Sequence, residues 1–247
     1  MFSALKDHPF AVSAELERTV VLSYAVPCEE LRPLVPSFLE LDVFQEHFGF
    51  VAVALVRTEH LRPAGFPRWL GNDFWLVGYR VFVRYRSTSG KRLRGLYILG
   101  SETDSARMVT LGNLFTRYKY TKRPIEMRTE AMRTTIRSSS DGMELRYVDD
   151  PAVSAQLPHM SIFADWSEAR RFIGPLPFTF SHDAEKRRVL IVEGQRSDWV
   201  PRPITVEHHH FPLLDRLPFT APRLSNAFII DHVPYGWKRG VHEPLQR

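Results

Sequence analysis

Residues 74–85 read FWLVGYRVFVRY, and their alternation decides the fold class. Tyr79, Val81, Val83 and Tyr85 fall on one side of an extended chain, and Arg80, Phe82 and Arg84 on the other. A Ser89-Gly90 turn follows and residues 96–99 return, which predicts a β-hairpin. The same pattern recurs outward in both directions. Residues 18–24 (RTVVLSY) are β-branched and apolar, and residues 49–56 (GFVAVALV) form a continuous apolar run suited to a strand covered on both faces. Residues 134–137 and 143–147 flank Ser140-Asp141-Gly142, and residues 178–182 and 188–193 flank residues 183–186. Residues 204–210 and 227–233 complete the strand set. Helix signals are fewer. Pro27 precedes Glu29, Glu30, Leu31 and Leu34; Ser101 with Asp104 opens a stretch carrying Met108, Leu111, Leu114 and Phe115; a third lies at 167–172. The expectation is a β-rich α+β protein with a few short helices, its antiparallel strands closed into a large barrel or curved sandwich so that no edge stays bare.

The chain has 247 residues, with no internal repeat, low-complexity tract or Gly/Ser linker, so a single domain over 1–247 is expected. Hydrophobic residues make up 44% and charged residues 25%, which excludes a disordered, collagen-like or disulfide-scaffold chain. No run approaches the roughly 18 apolar residues of a membrane helix. The opening MFSALKDHPF carries the Lys6-Asp7 pair and lacks the apolar core of a secretory signal. Cys28 is the single cysteine and has no internal partner, so the expected compartment is the cytoplasm. The formal charge of +5 is modest and matters only where it clusters.

No phosphate-binding glycine loop, dinucleotide fingerprint, nucleophile elbow or H-E-x-x-H zinc motif occurs. Cys28 reads as a small buried apolar residue rather than a thiolate. His208 and His210 would share a strand face, but zinc would need further ligands such as His232 or Glu207. A polar strand end is the simpler reading, and neither metal nor cofactor is expected. The segment TRYKYTKRP, residues 116–124, has three readings: a nucleic-acid patch, an exposed basic turn, or a pocket wall in which a crowded lysine is held as a free amine. Composition alone favours the exposed turn.

Residues 18–42, RTVVLSYAVPCEELRPLVPSFLELD, resemble the N-terminal signature of acetoacetate decarboxylase relatives in Leu31-Arg32, Val35-Pro36 and Leu39-Glu40. The order continues with the strand at 50–56, Gly95-Leu96-Tyr97, a helix containing Gly112, the aromatic-lysine step Tyr118-Lys119, and closing segments at 204–214 and 227–233. The closer resemblance is to the YqjF-like branch of unknown function. It implies a large curved antiparallel sheet or barrel around a central cavity. It also implies a Schiff-base lysine at Lys119 or, one register away, Tyr120 in its place. Arg18, Tyr79, Arg80, Tyr118 and Tyr120 would line the ligand site.

The family pattern has a second lysine beside the first and a carboxylate on the central hairpin. Here Lys122 is three residues on from Lys119, and Leu76, Val77 and Gly78 stand where the glutamate is expected. The expected ligand is therefore a small anionic carbonyl compound of β-keto acid type, with decarboxylation itself not transferred. Catalysis, if present, would be of the Schiff-base lyase kind. The alternative is nucleic-acid or anionic-surface binding through Arg117, Lys119, Lys122 and Arg123, extended by Lys186-Arg187-Arg188; nucleic acid and membrane are not the expected partners. A third reading is an interaction protein whose interior is filled by its own side chains. The resemblance also implies a homo-oligomer.

Overall fold

A computed structural model describes residues 6–150, 156–174, 176–197 and 199–245; the first five residues of the N-terminal segment read above lie outside it. In chain order the first half contains β1 (Val12–Pro27), α1 (Cys28–Leu31), β2 (Glu40–Leu41), β3 (Phe48–Pro63), β4 (Asn72–Arg86), β5 (Arg92–Thr103), α2 (Ala106–Phe115) and β6 (Tyr120–Lys122). The second half contains β7 (Glu126–Glu130), β8 (Arg133–Arg137), β9 (Glu144–Val148), α3 (Trp166–Ile173), β10 (Phe178–Asp183), β11 (Arg188–Arg196), β12 (Arg202–Pro203), β13 (Thr205–His210), α4 (Pro212–Asp215), β14 (Arg223–Trp237) and β15 (Val241–Pro244).

The apolar runs become the long central strands. β1 pairs antiparallel with both β3 and β14, β3 with β4, and β4 with β5. From β5 the path crosses to β10 and then β11, and β11 pairs with β14. The order β14-β1-β3-β4-β5-β10-β11 therefore returns to its start as a ring-like sheet, which leaves these strands without bare edges. The sheet is mixed rather than wholly antiparallel, because β5 runs parallel to β10 and to β6. Each parallel neighbour reaches β5 after a long crossover, which a hairpin cannot supply. A separate antiparallel sheet has the order β13-β9-β8-β7.

Both faces of the large sheet are covered. On one, Val20, Leu22 and Tyr24 of β1 and Val77, Tyr79 and Val81 of β4 pack with Ile136, Leu145 and Tyr147 of the smaller sheet. On the other, Val21, Ala52, Ala54 and Phe82 pack with Met108 of α2 and with Ala169 and Ile173 of α3. Burial on both faces explains why residues 49–56 are apolar throughout instead of alternating. The start of α2 departs from expectation. Ser105, not Ser101, caps it, accepting the Met108 N–H at 3.2 Å. Ser101 stays in β5, and Asp104 accepts the Trp75 N–H at 2.8 Å. Among the described residues, no helix is long and apolar enough to cross a membrane.

Candidate functional site

β4 delivers Arg80 to the face that carries Leu76, Gly78 and Phe82. A register shift between Tyr79 and Arg80 in the pairing with β5 loosens the ladder at this point. The Arg80 guanidinium folds back along its own strand and lies over Gly78; a Cβ there would meet Nε at 2.9 Å and Nη2 at 3.0 Å. Glycine is what lets the cation lie flat on the strand. Arg80 Nε is out of solvent and has no hydrogen-bond partner among the described residues.

Arg196, at the end of β11, enters the same space. Its guanidinium stacks 4.4 Å from the Trp199 ring centre, and its Nη2 is also buried without a partner among the described residues. Burial lowers the Arg196 pKa; Tyr235 opposes this, and the charge of Arg80 adds to it. Gly194 stands two residues earlier on the same strand, and a Cβ there would come 2.4 Å from the Tyr235 hydroxyl. Arg80 and Arg196 line a cavity of about 60 Å³ with Val21, Ala54, Leu96 and Phe228. Strands β1, β3, β4, β5, β11 and β14 all contribute, and Ile173, Gly174, Leu176 and Trp199 complete the lining of a cavity that opens to solvent on one side. At roughly 30 Å³ per water, it holds about two waters, or a group of carboxylate size.

Two tyrosines flank Arg80. After α2 ends, Lys119 takes a left-handed conformation with φ 55°. Asn113 clamps the backbone of the next residue, accepting the Tyr120 N–H at 2.8 Å and donating to the Tyr120 carbonyl at 2.8 Å. Tyr118 and Tyr120 are thereby both buried, and Lys119 is turned outward to solvent. Burial raises the pKa of both hydroxyls, with Arg80 opposing it, and also raises that of Tyr235, where Arg196 and Arg80 oppose it. All three stay protonated at neutral pH and act as neutral hydrogen-bond donors.

Several other arginines among the described residues have carboxylates. Arg123 binds Glu102 and Asp141. Arg84 and Arg94 share the fully buried Asp42, at 2.5 Å each. Arg117 and Arg188 share Asp7 and Asp183 over 2.6–3.1 Å. Arg80 and Arg196 make no ion pair among the described residues.

Residues 13–233 match one family, described as "Uncharacterized conserved protein (COG2071)". The chain belongs to DUF2071. No curated protein matches this DUF2071 sequence. Its fold is that of the acetoacetate decarboxylase-like proteins. A crystal structure of acetoacetate decarboxylase from Legionella pneumophila subsp. pneumophila str. Philadelphia 1 is similar with a TM-score of 0.62 at 11% identity, over 94% of this chain and 86% of that one. An acetoacetate decarboxylase-like enzyme from Sphingomonas wittichii RW1 is similar with a TM-score of 0.57 at 10% identity, over 96% and 94%. The enduracididine biosynthesis enzyme MppR, complexed with pyruvate, is similar with a TM-score of 0.54 at 11% identity, over 95% and 90%.

The structure divides the residues the sequence grouped. Arg80, Tyr118 and Tyr120 of the DUF2071 chain come together. Tyr79 is next to Arg80 on β4 and so points to the opposite face, where its hydroxyl donates to the buried Glu102 at 3.1 Å. Arg18 lies on that opposite face too, bonded to Asp231 at 2.9 Å. Lys119 lines a surface depression with Lys6, Tyr97 and His182, apart from Arg80. Of the two residues left open above, Tyr120 is buried and Lys119 exposed.

The stacking platform of the nucleic-acid alternative is missing, because the Tyr118 and Tyr120 rings are buried. The basic clusters around Arg117 and Arg188 do meet, but at Asp7 and Asp183. His209 contacts the Tyr24 hydroxyl at 3.1 Å, and His210 lies 2.7 Å from the Gly142 carbonyl and 3.1 Å from Asp215. Among the described residues, the group with metal-ligand proximity is instead Glu15, Glu59 and His60, within 4.8 Å of one another. Glu15 of that group is bonded to Arg68. Sequence reading missed Arg196 and Tyr235. The signal was the small-residue alternation Gly194-x-Arg196, hidden because a glycine in a strand reads as its end.

Proposed function

We propose that this protein binds a small carboxylate-bearing ligand between Arg80 and Arg196, without a Schiff base on Lys119. The observation that carries this is a pair of partly buried guanidinium groups, each with a buried, unpartnered N–H donor, brought together at one cavity with no carboxylate among its described lining residues. Enclosing like charges without a counter-ion is costly, and an anion with two oxygens would remove that cost by accepting from both forks. Tyr118, Tyr120 and Tyr235 add neutral donors beside the cations, which suits the carbonyl or hydroxyl next to a carboxylate. The pyruvate bound by the similarly folded MppR is a ligand of this class. Covalent catalysis finds no support, because the lysine of the aromatic-lysine step is exposed and an un-ionised tyrosine occupies the enclosed position.

Calorimetric titration with pyruvate and acetoacetate, paired with borohydride treatment and mass spectrometry, tests this. Binding should weaken at least tenfold in Arg80→Met, persist in Lys119→Ala, and leave no borohydride adduct. An adduct at Lys119, or binding that survives both Arg80→Met and Arg196→Met, would overturn it.

A further inference from the structure

Tyr118 and Tyr120 line a second cavity, of about 250 Å³. Leu76 belongs to the same wall, and Gly78, under the Arg80 guanidinium, is the next residue on that strand face. Two residues along a strand span roughly 7 Å, so the Arg80 guanidinium over Gly78 and the second cavity are neighbours. Phe74, Met108, Phe115 and Trp237 supply much of the remaining wall. The rim is apolar and exposed: Leu70 and Leu111 are each 37% exposed and Phe10 is 36% exposed. Arg62 and Arg107 stand at the same opening.

We propose that the ligand of the Arg80–Arg196 pair is a monocarboxylate with an unbranched apolar tail, and that the tail lies in this groove. The inference rests on the anion-binding reading above and specifies its ligand. Charge complementarity sets the orientation: Arg80 and Arg196 keep unpartnered donors, whereas Arg62 and Arg107 at the opening donate to the backbone carbonyls of His60, Phe66 and Leu70, and the walls between are largely hydrocarbon. A second carboxylate midway along the tail would be placed against Phe74, Leu76 and Met108 without a partner. A ligand as short as pyruvate would leave the groove and its exposed rim wet. At about 30 Å³ per methylene-sized group, the groove takes on the order of eight of them.

Calorimetric titration of the full chain with acetate, butyrate, hexanoate, octanoate and decanoate, each below its micellar concentration, tests this, with 1-octanol as the uncharged control. Affinity should rise about fourfold per methylene up to about octanoate and then level off. Octanol should bind at least tenfold more weakly than octanoate. Leu111→Glu, at the rim, should weaken octanoate at least tenfold and leave butyrate unchanged, whereas Arg80→Met should weaken both. A flat chain-length series, with short acids still bound in an Arg80-dependent way, would overturn the tail and leave the anion site standing. Octanoate bound equally by the wild type and Arg80→Met would also overturn it, as adsorption to an apolar surface. Failure of every acid to bind the wild type would defeat the anion site and the tail together.

Discussion

An arginine enclosed without an acid does not stabilise the fold that encloses it. Arg123, held between Glu102 and Asp141, and Arg117, held between Asp7 and Asp183, pin segments far apart in sequence. Arg80 and Arg196 pin nothing among the described residues, so their contribution to the ligand-free protein is a cost. Arg80→Met keeps an unbranched apolar stem and removes the charged group that lies over Gly78. Thermal unfolding without ligand should show this variant more stable than the wild type by about 1–2 kcal/mol, or roughly 2–8 °C. A lower midpoint would mean that Arg80 has a structural partner. At this scale the sequence was half legible. The alternation of residues 74–85 separates Tyr79 from Arg80, whereas the resemblance groups both at one site.

Among elements, α2 and the turn after it set the position of the tyrosines. The helix carries Met108, Leu111 and Gly112 into the groove wall, and Asn113 of its last turn clamps Tyr120. Ser105 holds its first turn through the Met108 N–H. Ser105→Ala should cost about 1 kcal/mol in chemical denaturation. The hydrophobic runs predicted the long strands because their periodicity is local. The cap at Ser105 was misplaced because Ser101-Glu102-Thr103 pairs with β4 on one side and β6 on the other, and nothing in residues 101–105 announces those partners. The outward turn of Lys119 was likewise hidden. It depends on the Asn113 clamp six residues earlier and on the burial of both flanking rings.

Over the whole molecule, ring closure brings β11 against β14 and so places Arg196 across from Arg80. No local pattern predicts that meeting, although the resemblance did predict a cavity inside a closed sheet. His8 reports on the same packing. It is buried in the groove wall, its ring 5.0 Å from Tyr118, and its Nε2 has no partner among the described residues. Burial pushes its pKa down to about 4 from 6.5, with Asp7 opposing. The folded protein thus resists a proton that the unfolded chain accepts below about pH 6.5. His8 therefore contributes its stability in full above that pH and loses it as the pH falls from 6.5 to about 4, by at most about 3 kcal/mol. In denaturation midpoints measured from pH 7 to 4, His8→Asn, which tolerates the positive φ of 48°, should fall less steeply than the wild type. Parallel curves would place the acid sensitivity elsewhere.

The chamber itself is tested most directly by diffraction from crystals grown with 4-bromobenzoate, using the bromine's anomalous signal to orient the ligand. The carboxylate is expected between the Arg80 and Arg196 guanidiniums, with the bromine pointing past Tyr118 and Tyr120 toward Met108. Bromine found only at Lys119 or elsewhere on the outer surface, with the arginine chamber occupied by water alone, would contradict it.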